Sequence, residues 1–380
     1  MVEFRWQESQ ADLDALLLVL ADVYRRGKPV DPPQLKPDEI GAIGLVDGRV
    51  GAGFLVMDMQ VSRRAATLPC AGVAAVGVLP EARHGGLGSA MMRWSLAAMR
   101  DRGYDLACLY PFRETYYGKF GYATAGVRVM IECPRDRMPD LPMTLPVRRI
   151  APENVADLDS ALVPYARRHS GVNLRSADNW QRRLGETPPM IYAFGEPAQA
   201  YLWTSLEGMF WDDLTVGELI YATREGYESA LGFLRTLGIN RGAISWRESS
   251  LSPFVIHHLD SNVKVSYDRL TMWRVLDVPR TFGRLQTNES GSFCFALTDD
   301  LLPDNAGTWR VNFSPAGVTI EPGSDPDFSL DIRQLSPAFL GQPSLREFAE
   351  LGLIQVHRPE RIAEAERLLS PTPTLCPDFF

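Results

Sequence analysis

Hydrophobic positions in the first third of the chain change from helical spacing to strand spacing and back again. Apolar residues spaced by three and four are typical of a buried helix face, and alternating or continuous apolar runs are typical of strands. An Asp47-Gly48 pair between two apolar runs indicates a tight hairpin turn. The elements predicted in chain order are a helix over Asp12–Tyr24, two strands within Ile40–Met57, a strand over Val73–Leu79, a helix from about Gly86 to Arg102 and a strand over Leu106–Tyr110.

A proline-rich segment, Cys133–Pro146, predicts a linker, and after it the same order of elements partly recurs. This second region contains no glycine-rich turn between its strand and its helix. The elements predicted there are strands over Met190–Phe194, Gln199–Ser205 and Leu214–Tyr221, a helix over Glu225–Leu237 and a strand over Ala243–Trp246.

The pattern changes again near Val275, where alternating strands precede helices. Strands mixed with helices are typical of an α/β fold, whereas a sheet followed by helices is typical of an α+β domain. The fold class predicted is therefore α/β for the first two regions and α+β for the third. The predicted elements of the third region are strands over Ser292–Leu297, Thr308–Phe313, Val318–Glu321 and Phe328–Ile332, and helices over Leu345–Leu351 and Arg361–Leu369.

Length and charge narrow the functions that such a chain can have. At about 150 residues per domain, 380 residues are enough for two or three domains. The chain has 47 acidic and 39 basic residues, a formal net charge of −8, and a surface of that sign repels nucleic-acid phosphates. We therefore expect no nucleic-acid partner, and the acidic balance favours a cationic or amine substrate.

The cysteines and the apolar runs indicate which cellular compartment to expect and whether the chain has a membrane-spanning helix. The five cysteines are widely spaced and form no CxxC pair, so we expect no metal site and no disulfide framework. They indicate a reducing, cytoplasmic compartment. The N-terminus has no signal-peptide pattern, and no uncharged apolar run approaches the roughly 20 residues of a spanning helix. We therefore expect no membrane span.

The clearest chemical signal is a strand that runs into a glycine-rich turn and then directly into a helix. This geometry directs consecutive backbone N–H groups and the positive end of a helix at one point, which makes an anion site. Glycine is needed where backbone must touch a ligand, and basic side chains add donors for phosphates. The residues of this candidate site are Val76, Gly77, Val78, Arg83, His84, Gly85, Gly86, Leu87, Gly88 and Ser89.

The Arg83-x-x-Gly86-x-Gly88 turn resembles the acetyl-CoA motif of the GNAT acetyltransferases. The downstream segment Tyr116–Tyr122, which reads YYGKFGY, is similar to the segment that closes the cofactor site in that family. The resemblance implies that acetyl-CoA is the acetyl donor and that no metal takes part. Phe112 and Arg113, just before the aromatic segment, are further candidates for lining the cofactor.

The whole chain resembles the enhanced intracellular survival (Eis) type of GNAT acetyltransferase. The resemblance implies a catalytic GNAT domain at 1–145, a degenerate second GNAT-like domain at 146–274 and a sterol-carrier-like domain at 275–380. It also implies a homo-oligomer, usually a hexamer, and a mainly structural middle domain. The family's catalytic tyrosine falls on Tyr117, and its catalytic C-terminal carboxylate falls on Phe380.

Amine acetylation places definite demands on these residues. A backbone N–H of the splayed Val76–Val78 strand can stabilise the oxyanion, and a tyrosine with a pKa near 10 can protonate the leaving thiolate. The ammonium proton needs a base, and an α-carboxyl with a pKa of about 3.3–3.7 must be buried to serve. Phe379 and Phe380 can anchor the proline-rich tail in an apolar groove and place that carboxylate. Tyr116 and Tyr122 stay open as alternatives to Tyr117.

The identity of the amine acceptor and the roles of the remaining motifs stay open. The segment Tyr24–Glu39 is expected to form one lip of the acceptor pocket, and aminoglycosides, polyamines, lysine side chains and small amines all remain candidates. The alternative to an enzyme is an acyl-CoA or lipid-binding module with little catalytic activity. His257-His258, if on a strand, would point to opposite faces and hold no shared metal. The Asp299-Asp300 pair and the Asp325 and Asp327 pair are expected to be turn residues.

Overall fold

The computed structural model describes residues 1–31, 33–185, 187–204, 209, 211–268 and 271–380. The side chain of His84 and the predicted strand end at Ser205 lie outside the described residues. In the described part, the strands in chain order are β1 (Val2–Trp6), β2 (Glu39–Val46), β3 (Arg49–Arg63), β4 (Ala66–Val78), β5 (Leu106–Leu109), β6 (Ala123–Thr124), β7 (Arg128–Pro134), β8 (Val147–Ile150), β9 (Ser170–Asn173), β10 (Met190–Phe194), β11 (Ala200–Thr204), β12 (Leu214–Tyr221), β13 (Ala243–Ser249), β14 (Lys264–Tyr267), β15 (Met272–Val275), β16 (Gly291–Thr298), β17 (Gly307–Ser314), β18 (Gly317–Pro322), β19 (Phe328–Asp331) and β20 (Gln355–Val356).

The helices begin where capping residues precede amphipathic runs. Ser9 accepts from the backbone N–H of Asp12 and opens the first helix with a capping box. In chain order the helices are α1 (Gln10–Tyr24), α2 (Leu87–Asp101), α3 (Glu114–Tyr117), α4 (Asp159–Arg167), α5 (Ala177–Leu184), α6 (Arg224–Leu237), α7 (Pro253–His257), α8 (Val278–Gly283), α9 (Ile332–Leu340), α10 (Leu345–Glu350) and α11 (Glu360–Leu368). The helices predicted in all three regions are confirmed as α1, α2, α6, α10 and α11, and the structure adds α3, α4, α5, α7, α8 and α9.

The first sheet has the order β1-β2-β3-β4-β5-β15-β6, with β9 also pairing with β3. Its early strands are antiparallel, and β4 and β5 are parallel. The second sheet has the order β14-β7-β13-β12-β11-β10-β8, and β12 and β13 repeat the parallel pair of the first sheet. The third sheet has the order β18-β17-β16-β19-β20. The predicted mixed α/β and α+β fold class is confirmed by these three sheets.

Strand pairing crosses the predicted domain boundaries at 145/146 and 274/275. Strand β7 precedes residue 145, yet it pairs with β13 and β14 in the second sheet. Strand β15 lies within 146–274 apart from its last residue, yet it pairs with β5 and β6 in the first sheet. The segment predicted as a linker therefore begins inside a strand, because Cys133 and Pro134 close β7. The domain boundaries at 145/146 and 274/275 stay predictions, and the pairing of strands into sheets does not follow them.

One hydrophobic cluster joins the first and third regions. Met59 and Cys108 of the first sheet and Phe295 and Phe339 of the third region belong to the same buried core. Separate clusters lie between the first sheet and α2 and within the second region. Burial of apolar surface is the main stabilising contribution in such cores, so the third region is held against the first sheet by packing.

Candidate active site

The parallel strands β4 and β5 separate at one end of the first sheet. Their pairing ends at Val73 opposite Leu109, while β4 continues to Val78 along β3 alone. The β3–β4 register shifts between Gly53 and Leu55, and Ala75 takes a φ of +51°. A bulge of this kind bends a strand and takes backbone groups out of the ladder. The predicted splay of Val76–Val78 away from β5 is therefore present.

The glycine-rich turn leads from β4 into an open helix N-terminus. Residues Pro80–Gly85 form a 3₁₀ turn, and Gly86 takes a φ of +72° immediately before α2. No side chain caps α2 by a hydrogen bond, and its first turn holds no acidic residue. The first N–H groups of an α-helix have no partner within the helix. Because Gly86, Gly88 and Ser89 line the cavity described next, this helix end favours an anion there.

A cavity of about 430 Å³ lies at the open end of α2. Arg83 stands at its edge, and its Nε donates to the carbonyl oxygen of Val78 at 3.1 Å. Side chains at Gly85 and Gly86 would meet nothing within 4 Å, so the space in front of the turn is clear. The residues that line the cavity are Val23, Val76, Val78, Arg83, Gly86, Gly88, Ser89, Phe112 and Tyr116.

The structure therefore gathers most of the predicted cofactor residues at one place and puts three elsewhere. Gly77 faces α1, where an added Cβ would lie 3.0 Å from Val19. Leu87 is buried in the core beneath α2. Arg113 lines a different cavity, of about 630 Å³, together with Phe112 and Phe379.

The aromatic segment holds three tyrosines, each in a different environment. Tyr117 is 5% exposed, and its ring contacts the rings of Phe112 and Tyr116 at centroid distances of 5.4 and 5.1 Å. Burial raises the pKa of the Tyr117 phenol, and the neighbouring tyrosines raise it further. Tyr117 therefore stays protonated across the physiological range, as a proton donor must.

The two alternative tyrosines have other surroundings. Tyr116 lines the 430 Å³ cavity, and its hydroxyl would lie 3.4 Å from a Cβ at Gly88. Tyr122 is fully buried, its hydroxyl has no hydrogen-bond partner, and burial raises its pKa. Tyr122 is thus removed from the cavity, whereas Tyr116 lines it and Tyr117 packs against two of its lining residues, Phe112 and Tyr116.

Tyr24, at the end of α1, lies at this site. The sequence indicated it only as the first residue of the segment expected to form a lip of the acceptor pocket. Its Oη donates to the carbonyl oxygen of Val76 at 2.6 Å. This bond ties the helix end to the bulge of β4. Its sequence signal is weak, since a tyrosine that ends a helix usually packs or faces solvent.

The C-terminal tail is ordered by contacts with the first and second regions. Ser170 donates its N–H to the carbonyl of Pro373 at 2.9 Å, and Leu375 donates back to Ser170 at 3.0 Å. Buried Arg63 donates to Ser370 and to the hydroxyl of Thr372. The tail therefore runs as an extended segment held by backbone and side-chain bonds, as its prolines predicted.

A buried ion cluster fixes the last residues of the tail. Arg175 donates to Asp378 at 2.9 Å and to both oxygens of Glu218 at 2.8 and 2.6 Å. Burial opposes ionisation of Glu218, but Arg175 and Arg183 outweigh it and lower the pKa of Glu218 to about 2. Asp378 and Arg175 are 203 positions apart, so no local pattern marks them as partners.

The terminal phenylalanines lie where β4 and β5 separate. The ring of Tyr110, just after β5, contacts the rings of Phe379 and Phe380 at centroid distances of 5.0 and 5.5 Å. A Cβ on Gly72 would lie 3.2 Å from the Phe380 ring. Gly72 directly precedes the last β4 residue paired with β5, so the chain ends beside the split in the sheet.

The other motifs singled out in the sequence lie away from this site. His257 ends helix α7 and His258 follows it, so the strand geometry assumed for them is wrong. Asp299 is buried against Arg274 at 2.7 Å, and Asp327 is buried against Arg358 at 2.7 Å, so both are ion-pair partners as well as loop residues. In the described part of the chain, no three His, Cys, Asp or Glu residues are grouped as metal ligands. No helix among the described residues has the length and apolar character needed to cross a membrane.

Two protein-family models match this chain. Residues 10–125 match an acetyltransferase (GNAT) domain, and residues 278–377 match a sterol carrier protein domain. The first match contains the glycine-rich turn, the split between β4 and β5 and the aromatic segment. The second contains the third sheet and most of the tail.

Similar proteins extend the likeness over most of the chain. An uncharacterized N-acetyltransferase of Streptomyces avermitilis is 26% identical over 336 residues, which cover 80% of each chain. One from Streptomyces coelicolor is 26% identical over 79% of this chain and 78% of its own.

Solved structures share the full-length fold. A GCN5-related N-acetyltransferase from Anabaena variabilis superposes with a TM-score of 0.87 at 18% identity, and both chains are covered completely. Eis1 from Mycobacterium abscessus superposes with a TM-score of 0.81 at 20% identity, again over both whole chains. The chain therefore carries an acetyltransferase domain of the GNAT type over residues 10–125 and a sterol carrier protein domain over residues 278–377, and it is similar to N-acetyltransferases over most of its length.

Proposed function

We propose that this protein transfers the acetyl group of acetyl-CoA to a primary amine by direct attack in a ternary complex. The observation that carries the proposal is the uncapped N-terminus of α2 beside Arg83, at the end of a strand that has separated from its neighbour. The pyrophosphate of acetyl-CoA fits the open N–H groups, since the clear space at Gly85 and Gly86 lets backbone approach it. The pantetheine arm fits the 430 Å³ cavity between β4 and Tyr116.

Tyr117 is the proposed general acid. As the nitrogen–carbon bond forms and the carbon–sulfur bond breaks, the departing thiolate needs a proton, and a buried phenol with a raised pKa holds one at every working pH. A backbone N–H of the splayed β4 segment is the proposed donor to the oxyanion. Proton donation of this kind contributes about 10²–10⁴-fold to a rate.

The C-terminal carboxylate of Phe380 is the proposed general base. It would take the proton that the attacking amine must lose. Support comes from the tail, which is held by Arg63, Ser170 and Arg175 and ends beside Gly72 at the split of β4 and β5. Such an arrangement gives a flexible chain end the fixed position that proximity catalysis requires.

We also propose a cytoplasmic location and a homo-oligomer, with a hexamer as the expected form. The five cysteines are buried free thiols, which suits a reducing compartment. The hexamer rests on the resemblance to the Eis type. We further propose that no nucleic acid is bound, since a net charge of −8 repels phosphates.

The test is CoA release, followed with a thiol-reactive dye, by wild type and by Tyr117→Phe, with Tyr116→Phe as the matched variant. The proposal predicts that Tyr117→Phe lowers kcat by about 10²-fold or more, and that Tyr116→Phe changes it by less than tenfold. The reverse ranking would assign the acid to Tyr116. Acetyl-CoA binding without CoA release for any amine would favour the acyl-CoA or lipid-binding alternative.

A further inference from the structure

A second, larger cavity of about 730 Å³ adjoins the reaction region. Ala75 lines this cavity, and the next residue, Val76, lines the 430 Å³ cavity. At the end of α1 the same division holds, since Val23 borders the smaller cavity and Tyr24 borders the larger one. The two cavities therefore meet at the β4 bulge, which is where an acceptor must approach the acetyl group.

The inner wall of the larger cavity is aliphatic. Leu17, Leu20 and Leu55 are each 8% exposed and line it, and half-buried Leu35 and Val30 complete the apolar surface. An apolar wall favours an apolar ligand body and gains nothing from a hydrated polycation, which would have to lose its water there.

Two carboxylates beside this cavity, Asp38 and Glu39, are paired with a cation of the second region. Arg182 on α5 donates to both oxygens of Asp38 at 3.0 and 2.8 Å and also pairs with Glu39. Asn179 adds a bond to Asp38 at 2.9 Å. A carboxylate satisfied in this way attracts a further amine only weakly, so neither acidic residue is free to serve as an anchor for extra ammonium groups.

The rim of the cavity carries no net negative charge. Its described lining residues include the three cations Arg25, Lys36 and Arg182 and the two carboxylates Asp31 and Glu39, and Asp38, the partner of Arg182, makes the charges equal. The net charge of −8 for the whole chain therefore does not extend to this surface. Local charge governs which ligand approaches a pocket, and a rim of balanced charge gives a polycation no net attraction.

From this lining we infer that the acceptor is a monoamine with an aryl or alkyl body, rather than a polycationic aminoglycoside or polyamine. The inference rests on the proposed acetyl transfer and names its acceptor class. The apolar body occupies the wall of Leu17, Leu20 and Leu55, and the amine reaches the bulge at Ala75. Helix α5 supplies one wall and holds the segment Lys36–Glu39, so the second region takes part in acceptor binding.

The first experiment compares kcat/KM for CoA release with phenethylamine, spermidine and kanamycin on the full-length protein. The inference predicts that phenethylamine exceeds each polycation by at least tenfold. Spermidine or kanamycin as the better acceptor would overturn it and leave the proposed acetyl transfer intact. CoA release with none of the three amines would overturn the proposed function and the acceptor class together.

Variants locate the effect in the larger cavity. Leu35→Ala removes part of the aliphatic wall and is expected to raise KM for phenethylamine about tenfold with kcat preserved. The control is Leu18→Ala, which lies on α1 between the lining residues Leu17 and Leu20 but is exposed and outside the cavity lining, and it should leave both constants unchanged. Lys36→Glu makes the rim net negative and is expected to improve kcat/KM for spermidine. Equal effects of Leu35→Ala and Leu18→Ala, or no gain for spermidine, would contradict the assignment.

Discussion

Substitution of Asp378 by alanine is expected to release the C-terminal tail. Asp378 is buried and accepts from Arg175 Nε at 2.9 Å and from its Nη2 at 3.3 Å. Removing one partner of a buried ion pair costs about 3–5 kcal/mol. Because Arg175 keeps its two bonds to Glu218, we expect the lower end, about 3 kcal/mol. At about 1.4 kcal/mol per tenfold, the undocked fraction of the tail rises roughly 100-fold.

Carboxypeptidase digestion reports that fraction, because cleavage follows the population of the open form when opening is fast. Release of phenylalanine from Asp378→Ala should be about 100-fold faster than from wild type, after normalisation to the unfolded proteins. The control is Asp304→Ala, which removes an exposed ion pair with Arg100 and should cost at most about 1 kcal/mol. Equal release from Asp378→Ala and wild type would refute the reasoning that the ion cluster holds the tail.

Three further predictions concern the turn, the tail path and the pH dependence of stability. Gly86→Ala should raise KM for acetyl-CoA at least tenfold and lower the free energy of unfolding by about 1 kcal/mol. The control is Gly48→Ala, because Gly48 has a similar left-handed φ and equally open space. It should show the same loss of stability with KM unchanged. Gly126→Ala would place a Cβ 1.9 Å from the carbonyl of the tail and should lower kcat at least tenfold, unlike Gly27→Ala, whose Cβ meets nothing within 4 Å. Burial lowers the pKa of His169 from 6.5 to about 4, so the unfolded state takes up the proton first. Stability should fall by up to about 3 kcal/mol between pH 6.5 and 4, and urea unfolding of His169→Gln should show a shallower fall. An unchanged KM in Gly86→Ala, an unchanged kcat in Gly126→Ala, or the same pH dependence of stability in His169→Gln and wild type would contradict the respective expectation.

The glycine-rich turn could be read from the sequence because its chemistry is local. Strand, turn and helix are contiguous, and Gly86 and Gly88 stand where backbone meets the cavity. The aromatic segment could be predicted for the same reason, since Tyr116 and Tyr117 are neighbours within one short helix. The spacing of apolar residues likewise predicted the strands β2–β5 and β10–β13 and the three long helices α1, α2 and α6 of the first two regions.

The remaining features depend on contacts between distant parts of the chain. No periodicity indicates that β7 joins the second sheet or that β15 joins the first, because strand partners are chosen by the whole fold. Arg175 reaches Asp378 across 203 positions, and Arg182 reaches Asp38 across 144. The total charge favoured a cationic substrate, whereas two carboxylates beside the larger cavity, Asp38 and Glu39, are already paired with Arg182.

Deletion of Phe380 alone tests most directly the claim that the chain end completes the active site. CoA release with the preferred amine and acetyl-CoA binding by calorimetry would be measured on the full-length and shortened proteins. The account predicts that the shortened protein binds acetyl-CoA within about threefold of wild type, since its anion site lies at Arg83 and α2, and loses at least 100-fold in kcat. A shortened protein with unchanged kcat would contradict the assignment of the Phe380 carboxylate as the base.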